Sequence, residues 1–125
     1  FAVLPCDNLP ANGATAKRVI VRMASLCEPE LAPLLEEELA CPATMVDRIV
    51  PATTEQDRAH VAERLGLEDR WPGVAEPFTQ WVIEDRFPAG RPDWSASGAT
   101  LVAAVEPFEL MKLRLLNGSH STLAY

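Results

Sequence analysis

Four polar side chains near the end of the chain, Glu109, Lys112, Asn117 and His120, are of types that can move a proton, steady an alkoxide and orient a hydroxyl. A lysine amine can act as a general base because burial lowers its affinity for the proton, whereas a guanidinium stays charged. The chain uses nine arginines and only two lysines, Lys17 and Lys112, so lysine at 112 stands out. An asparagine amide can donate to a developing oxyanion, and a neutral imidazole can hold a hydroxyl. Spacing puts the four together. At about 100° per residue, with Lys112 at zero, Glu109 falls near 60°, His120 near 80° and Asn117 near 140°. Leu113, Leu116 and Leu123 share that arc. The polar quartet is therefore set into a face expected to be buried, where unpaired polar groups are costly. The plainer alternative is a partly buried helix with an intrahelical Glu109–Lys112 pair, worth a few tenths of a kcal/mol.

The element that must carry these residues is a helix opening at Pro107, in the first helical position behind Glu106, and running from Phe108 to Tyr125. Upstream, Phe1–Leu4 reads as a short buried strand that stops at Pro5 and delivers Cys6, Asp7 and Asn8 to its C-terminal end, where open α/β sheets place their ligands. Asn12-Gly13 marks a turn or helix start, followed by a helix over 14–27. A second helix is expected from Pro29 to Cys41, with Glu36–Glu38 as its solvated face. Residues 44–50, bounded by Pro42 and Pro51, read as a strand with Asp47 oddly inside it. Thr53 and Gln56 suggest a capping box for a helix that Gly66 closes and that carries His60 as a surface residue. Phe78–Glu84 reads as a further strand, while 67–77 and 86–98 read as loops.

A length of 125 residues is that of one modest domain, and 48% hydrophobic with 23% charged residues is an ordinary globular composition. Eighteen acidic against eleven basic side chains, a net charge of -7, argue against a nucleic-acid binder. No run approaches a membrane span or a signal segment, which leads to the expectation of a cytoplasmic protein without a membrane partner. Cys6, Cys27 and Cys41 fit neither a CxxC pair nor a disulfide frame and are expected to be buried free thiols. His60 and His120 do not form a closed zinc set with them, so the expected chemistry needs no metal.

The string Met111-Lys112-Leu113-Arg114-Leu115-Leu116-Asn117-Gly118-Ser119-His120 closely resembles the signature of the mannitol dehydrogenase family of long-chain polyol dehydrogenases. The resemblance extends to Cys6-Asp7-Asn8-Leu9-Pro10 with Asn12-Gly13, to Met45–Pro51, and to Glu76–Asp85, in the family's order. It implies that Lys112 is the general acid/base, that Asn117 and Asn8 form the oxyanion-stabilising pair, and that Asp47, His120 and Asn8 hold substrate hydroxyls. Glu109, one turn before Lys112, would tune the lysine or pass protons to solvent, unless it is a simple ion-pair partner.

The implied fold is α/β: the late part of a Rossmann-type dinucleotide-binding domain over 1–105, running at 106–125 into the first helix of an all-α catalytic domain. The implied cofactor is NAD or NADP, with NAD favoured and no metal. The implied substrate is a polyol, ketose or sugar acid, leaning toward the fructuronate reductase members over the mannitol 2-dehydrogenase members. The sequence departs from the family in length and lacks a GxGxxG turn, so it reads as an excerpt, inactive without the missing parts of its own chain and with no cofactor-binding residue assigned. Two alternatives stay open. One is a fragment of a 6-phosphogluconate-type hydroxyacid dehydrogenase, which also pairs a helical lysine with an Asn-Gly at a shorter spacing. The other is a non-catalytic interaction module.

Overall fold

The computed structural model describes residues 1–124, so the expected end of the last helix at Tyr125 lies outside the described residues. Two compact units form. One combines Phe1–Val46 with the described residues from Gln80 onward, and the other is Asp47–Thr79.

In the first unit, α1 (Asn12–Cys27) and α2 (Leu31–Glu38) pack together beside a three-stranded sheet of order β1-β2-β3 (Thr44–Asp47, Gln80–Glu84, Thr100–Val102). Strands β2 and β3 run parallel, with Val82 opposite Thr100 and Glu84 opposite Val102. Parallel neighbours need a long crossover, here the 85–99 connection, which carries only a short 3-10 turn at Trp94–Ser97. Met45, Val82 and Val105 form a cluster within the buried core, and Ala43, Val102 and Phe108 pack against it. Phe108 thereby fastens the start of α4 (Glu106–Met111) to the sheet.

Several expectations are corrected. The strand expected at Phe1–Leu4 is reduced to a single parallel bridge between Ala2 and Ala40, with the Val3 N–H donating to the Ala40 carbonyl at 3.0 Å. Pro5 and Pro42, lacking N–H donors, stop the ladder from extending. Helix α2 starts at Leu31 rather than Pro29. It tolerates Pro33 because the first-turn N–H groups have no helical partner. It ends at Glu38, short of Cys41, where Leu39 turns extended to reach that bridge. Strand β1 stops at Asp47 rather than Val50. Strand β2 begins at Gln80, leaving Phe78 exposed. β3, three residues long, was not expected at all. Of the three free thiols only Cys41 is buried, and burial pushes it up from its ordinary pKa. Cys6 and Cys27 are exposed, the first in the loop beyond Pro5 and the second at the last residue of α1, where it lies against Met23.

The second unit holds α3 (Glu55–Leu65). Its N-cap is Thr54 with Asp57, one residue beyond the expected Thr53 and Gln56. The Thr54 hydroxyl accepts from the Asp57 N–H at 3.2 Å and the Asp57 carboxylate accepts from the Thr54 N–H at 2.8 Å. The Thr54 hydroxyl, which also donates to the Asp57 carboxylate at 2.7 Å, and after it the Thr54 N–H hold that carboxyl below its usual pKa. Thr53 instead donates to the Pro72 carbonyl at 2.7 Å. Gly66 closes the helix at φ 68, as expected, and His60 is exposed. Residues 48–50 leave the strand path because Ile49 exchanges hydrogen bonds with Glu76 at 2.8 and 3.1 Å.

The last helix is continuous from Glu106 to Ala124 but not uniform. α4 is followed by a π-helical turn, Lys112–Asn117, and then by α5 (Gly118–Ala124). Pro107 is its second residue rather than its first. The face expected to be buried is open among the described residues, with Leu113 47% and Leu123 85% exposed. The helix is held by Val105 and Phe108 at its start.

Candidate active site

A cleft of about 90 Å³ opens between the loop before α1, strand β1 and the last helix, all within the first unit. A single water needs roughly 10–15 Å³, so the cleft admits a small reacting group. Asn8, Glu109, Lys112 and Asn117 all line it.

Lys112 is half-buried. Its Nζ donates to Asn8 Oδ1 at 2.6 Å and to the Val46 carbonyl at 2.6 Å. With Oδ1 turned to the lysine, the Asn8 amide has its Nδ2 donors to offer. Asp7 shapes the loop by accepting from the Leu9 N–H at 3.1 Å. Glu109 is also half-buried, and its Oε1 accepts from the Ala11 N–H at 3.2 Å, tying the helix to the opposite wall. Ala11 presents that N–H from a left-handed conformation (φ 49, ψ 43), which costs a non-glycine residue roughly 1–2 kcal/mol.

The π turn changes the expected helical wheel. In a regular α-helix, residues five apart stand about 140° apart. In a turn closed by i→i+5 bonds they lie nearly above one another. Lys112 and Asn117 delimit that turn and line the same cleft. His120, one turn further, is exposed and does not line it. Asp47 ends β1 half-buried, as the first residue of the second unit.

Sequence reasoning took Asn12-Gly13 as a turn signal and missed what the pair does. Asn12 is fully buried and bonds to Thr44 through both its amide nitrogen and its oxygen. Gly13 lets α1 start hard against the chain before β1. A Cβ there would lie 2.8 Å from the Ala43 nitrogen and closer still to the Cys41 carbonyl oxygen. A turn dipeptide that also opens a helix was the available signal; the partners, some thirty residues away, were not visible.

The family model described as the mannitol dehydrogenase Rossmann domain matches residues 1–96. The chain belongs to the mannitol dehydrogenase family. Within it, the chain is 53% identical to the D-mannonate oxidoreductase of Escherichia coli (strain K12), over all 125 residues and 26% of that protein. It is 51% identical to a mannitol 2-dehydrogenase of Aspergillus fumigatus, over its whole length and 26% of that relative. It therefore spans about a quarter of the length of the curated relatives it matches. Among solved structures, the ternary complex of Pseudomonas fluorescens mannitol 2-dehydrogenase with NAD and D-mannitol superposes with a TM-score of 0.81 at 44% identity, covering 96% of this chain and 24% of that one. A D-sorbitol dehydrogenase in substrate-free form gives a TM-score of 0.84 at 41% identity, covering 96% and 25%. The Rossmann-type α/β assignment stands on these matches.

A donor set of one lysine, two asparagines and a glutamate suits an alcohol or carbonyl oxygen. It does not suit a pyrophosphate, which a glycine-rich strand-to-helix turn would cradle. Gly13, at the start of α1, is already filled by the chain's own backbone.

Proposed function

We propose that this chain supplies the acid/base wall of an NAD-dependent dehydrogenase that interconverts a secondary alcohol of a polyol or sugar acid with the matching ketone. The observation that carries the reading is the Lys112 ammonium on Asn8 Oδ1, in a cleft shared with Asn117, in a chain of this family. In the oxidation direction a neutral Lys112 takes the hydroxyl proton, and in reduction it returns the proton to the alkoxide. Asn8 and Asn117 hold the oxygen as charge develops on it, the task of an oxyanion hole. NAD, when bound, supplies the hydride acceptor. Asp47 and His120 hold more distant hydroxyls of the substrate.

Glu109 passes protons between Lys112 and solvent. This is supported by its position lining both the cleft and a second hollow of about 460 Å³ that carries Glu84 and Glu106. Residues 1–105 complete a nucleotide-binding domain and 106–125 begin a helical catalytic domain. The rest of a longer chain provides the dinucleotide site and the remaining substrate contacts. NAD is preferred over NADP, no metal takes part, and the enzyme works in the cytoplasm. Among the described residues no helix is long and apolar enough to cross a membrane. The reading leans to the sugar-acid members, so D-mannonate is expected to be oxidised with higher kcat/KM than D-mannitol. Lys112→Met in the full-length enzyme tests the mechanism. Turnover is expected to fall about 10²–10⁴-fold at every pH, the usual worth of a positioned acid/base. Unchanged turnover across the pH range would overturn it.

A further inference from the structure

We infer that Asn12, which touches none of the proposed reacting groups, is a positioning residue that sets the separation of Asn8 from Val46, two of the oxygens that receive the Lys112 ammonium. The inference rests on the lysine acid/base reading above. Asn8 sits on the loop before α1 and Val46 on β1, and the two are far apart in sequence. The Asn12 carboxamide joins their supports. Its Oδ1 accepts from the Thr44 N–H at 2.9 Å. Its Nδ2 faces the Thr44 carbonyl at 3.0 Å and the Thr44 hydroxyl at 3.1 Å, and at 3.4 Å it meets the carbonyls of Pro5 and Asp7 in the Asn8 loop. Thr44 closes the ring by donating its hydroxyl to the Pro5 carbonyl at 2.5 Å.

Asn12 is 1% exposed, as is Thr44, so no water can substitute for these partners at the surface. The amide is also chemically specific. Four acceptors face its nitrogen and one donor faces its oxygen, so aspartate, of the same shape, would aim a second oxygen at a ring of oxygens. Asn8 lies one residue beyond the Asp7 carbonyl that Asn12 holds, and Val46 lies two residues beyond Thr44 on the same strand. A shift of the loop against the strand would therefore separate the two oxygens and leave the lysine to follow one of them. Misplacement on that scale lowers the rate of an oriented step without weakening binding of distant parts of the ligand.

The test uses the full-length enzyme with NAD and the better of D-mannonate and D-mannitol, and compares Asn12→Asp with the gentler, nearly isosteric Thr44→Val. Thr44→Val is expected to fold, to lose at least tenfold in kcat and to keep its KM for NAD within twofold. Amide hydrogen exchange over residues 6–11 is expected to speed up at least tenfold, and Thr44→Ser, which restores the hydroxyl, should recover most of both losses. In an Asn8→Ala background Thr44→Val should cost less than twofold, because the oxygen it positions is gone. A kcat within twofold of the parent would overturn the inference. So would a Thr44→Val enzyme that does not fold or that loses turnover and NAD affinity together, since the network would then serve the fold rather than the ammonium. Failure of the underlying reading is separable: there Lys112→Met itself keeps its turnover.

Discussion

The two walls of the cleft are held by different means. The wall made by the Asn8 loop, the start of α1 and β1 is pinned by buried side chain-to-backbone hydrogen bonds at Asn12 and Thr44 and by the tight seat of Gly13. The wall made by the last helix is anchored by Val105 and Phe108 and reaches across through polar links that include Lys112 to Asn8 and Val46, and Glu109 to Ala11. The group proposed to move protons therefore stands on the less enclosed wall, and the fixed wall tells it where to point. Preorganisation of this kind puts the cost of order into folding, before substrate arrives.

The largest effect should come from the helical wall acting alone. Asn117→Ala in the full-length enzyme is expected to lower kcat about 10²–10³-fold, the worth of an oxyanion donor, while its melting temperature stays within a few degrees of the parent. Breaking the fixed wall should instead appear first as lost stability. Gly13→Ala has backbone, not flexible side chain, in its way, and overpacking of that kind costs about 1–3 kcal/mol or more in a denaturant titration. Cutting one link between the walls should be smaller. Glu109→Ala removes the acceptor of the Ala11 N–H and should cost about 1 kcal/mol by the same measurement. Ala11→Gly should change stability by less than about 1 kcal/mol, relief of the left-handed strain being offset by the greater freedom of glycine when unfolded.

The smallest effect is an acid one outside both walls. Asp57, bonded to Thr54, and Asp85, bonded to Arg91 at 2.7 and 2.8 Å, are held below their ordinary value of 3.8. A depressed carboxyl contributes stability above its unfolded value and loses it as pH falls through the folded one. Amide exchange at the first turn of α3 and in the 85–91 loop should therefore quicken only as pH drops below about 4.

How much of this was legible in the sequence depended on whether the cause was local. Gly66 as a helix stop, the long helix behind Pro107 and the polar residues on it are local or periodic signals, and they appear where expected. The shift of the α3 cap from Thr53 to Thr54 arose because the box was sought with Gln56, while the shorter carboxylate of Asp57 serves as well. β3 has three residues and no alternation to read, and only pairing with β2 makes it a strand. The shortened first strand and the Asn12 network depend on partners some thirty or more residues away. Lys112, Asn117 and Glu109, singled out from their chemistry, share the cleft with Asn8, singled out by the family resemblance, whereas His120, placed on the same arc by a uniform 100° step, lies beyond it.

That step fails at the π turn, and the failure is informative about insertions and deletions. A turn closed by i→i+5 bonds uses one residue more than an α turn, so Lys112–Asn117 contains, in effect, a spare residue. Deleting one position between Leu113 and Leu116 would let an unbroken α-helix form with no loss of backbone bonding. Asn117 would then follow Lys112 by four residues, about 40° from it on an α-helix, so it would stay on the face that the π turn gives it now. For this helix the count of residues and the type of turn thus belong together: five residues from lysine to asparagine serve the site only through the π turn, because an α turn would set the same pair about 140° apart.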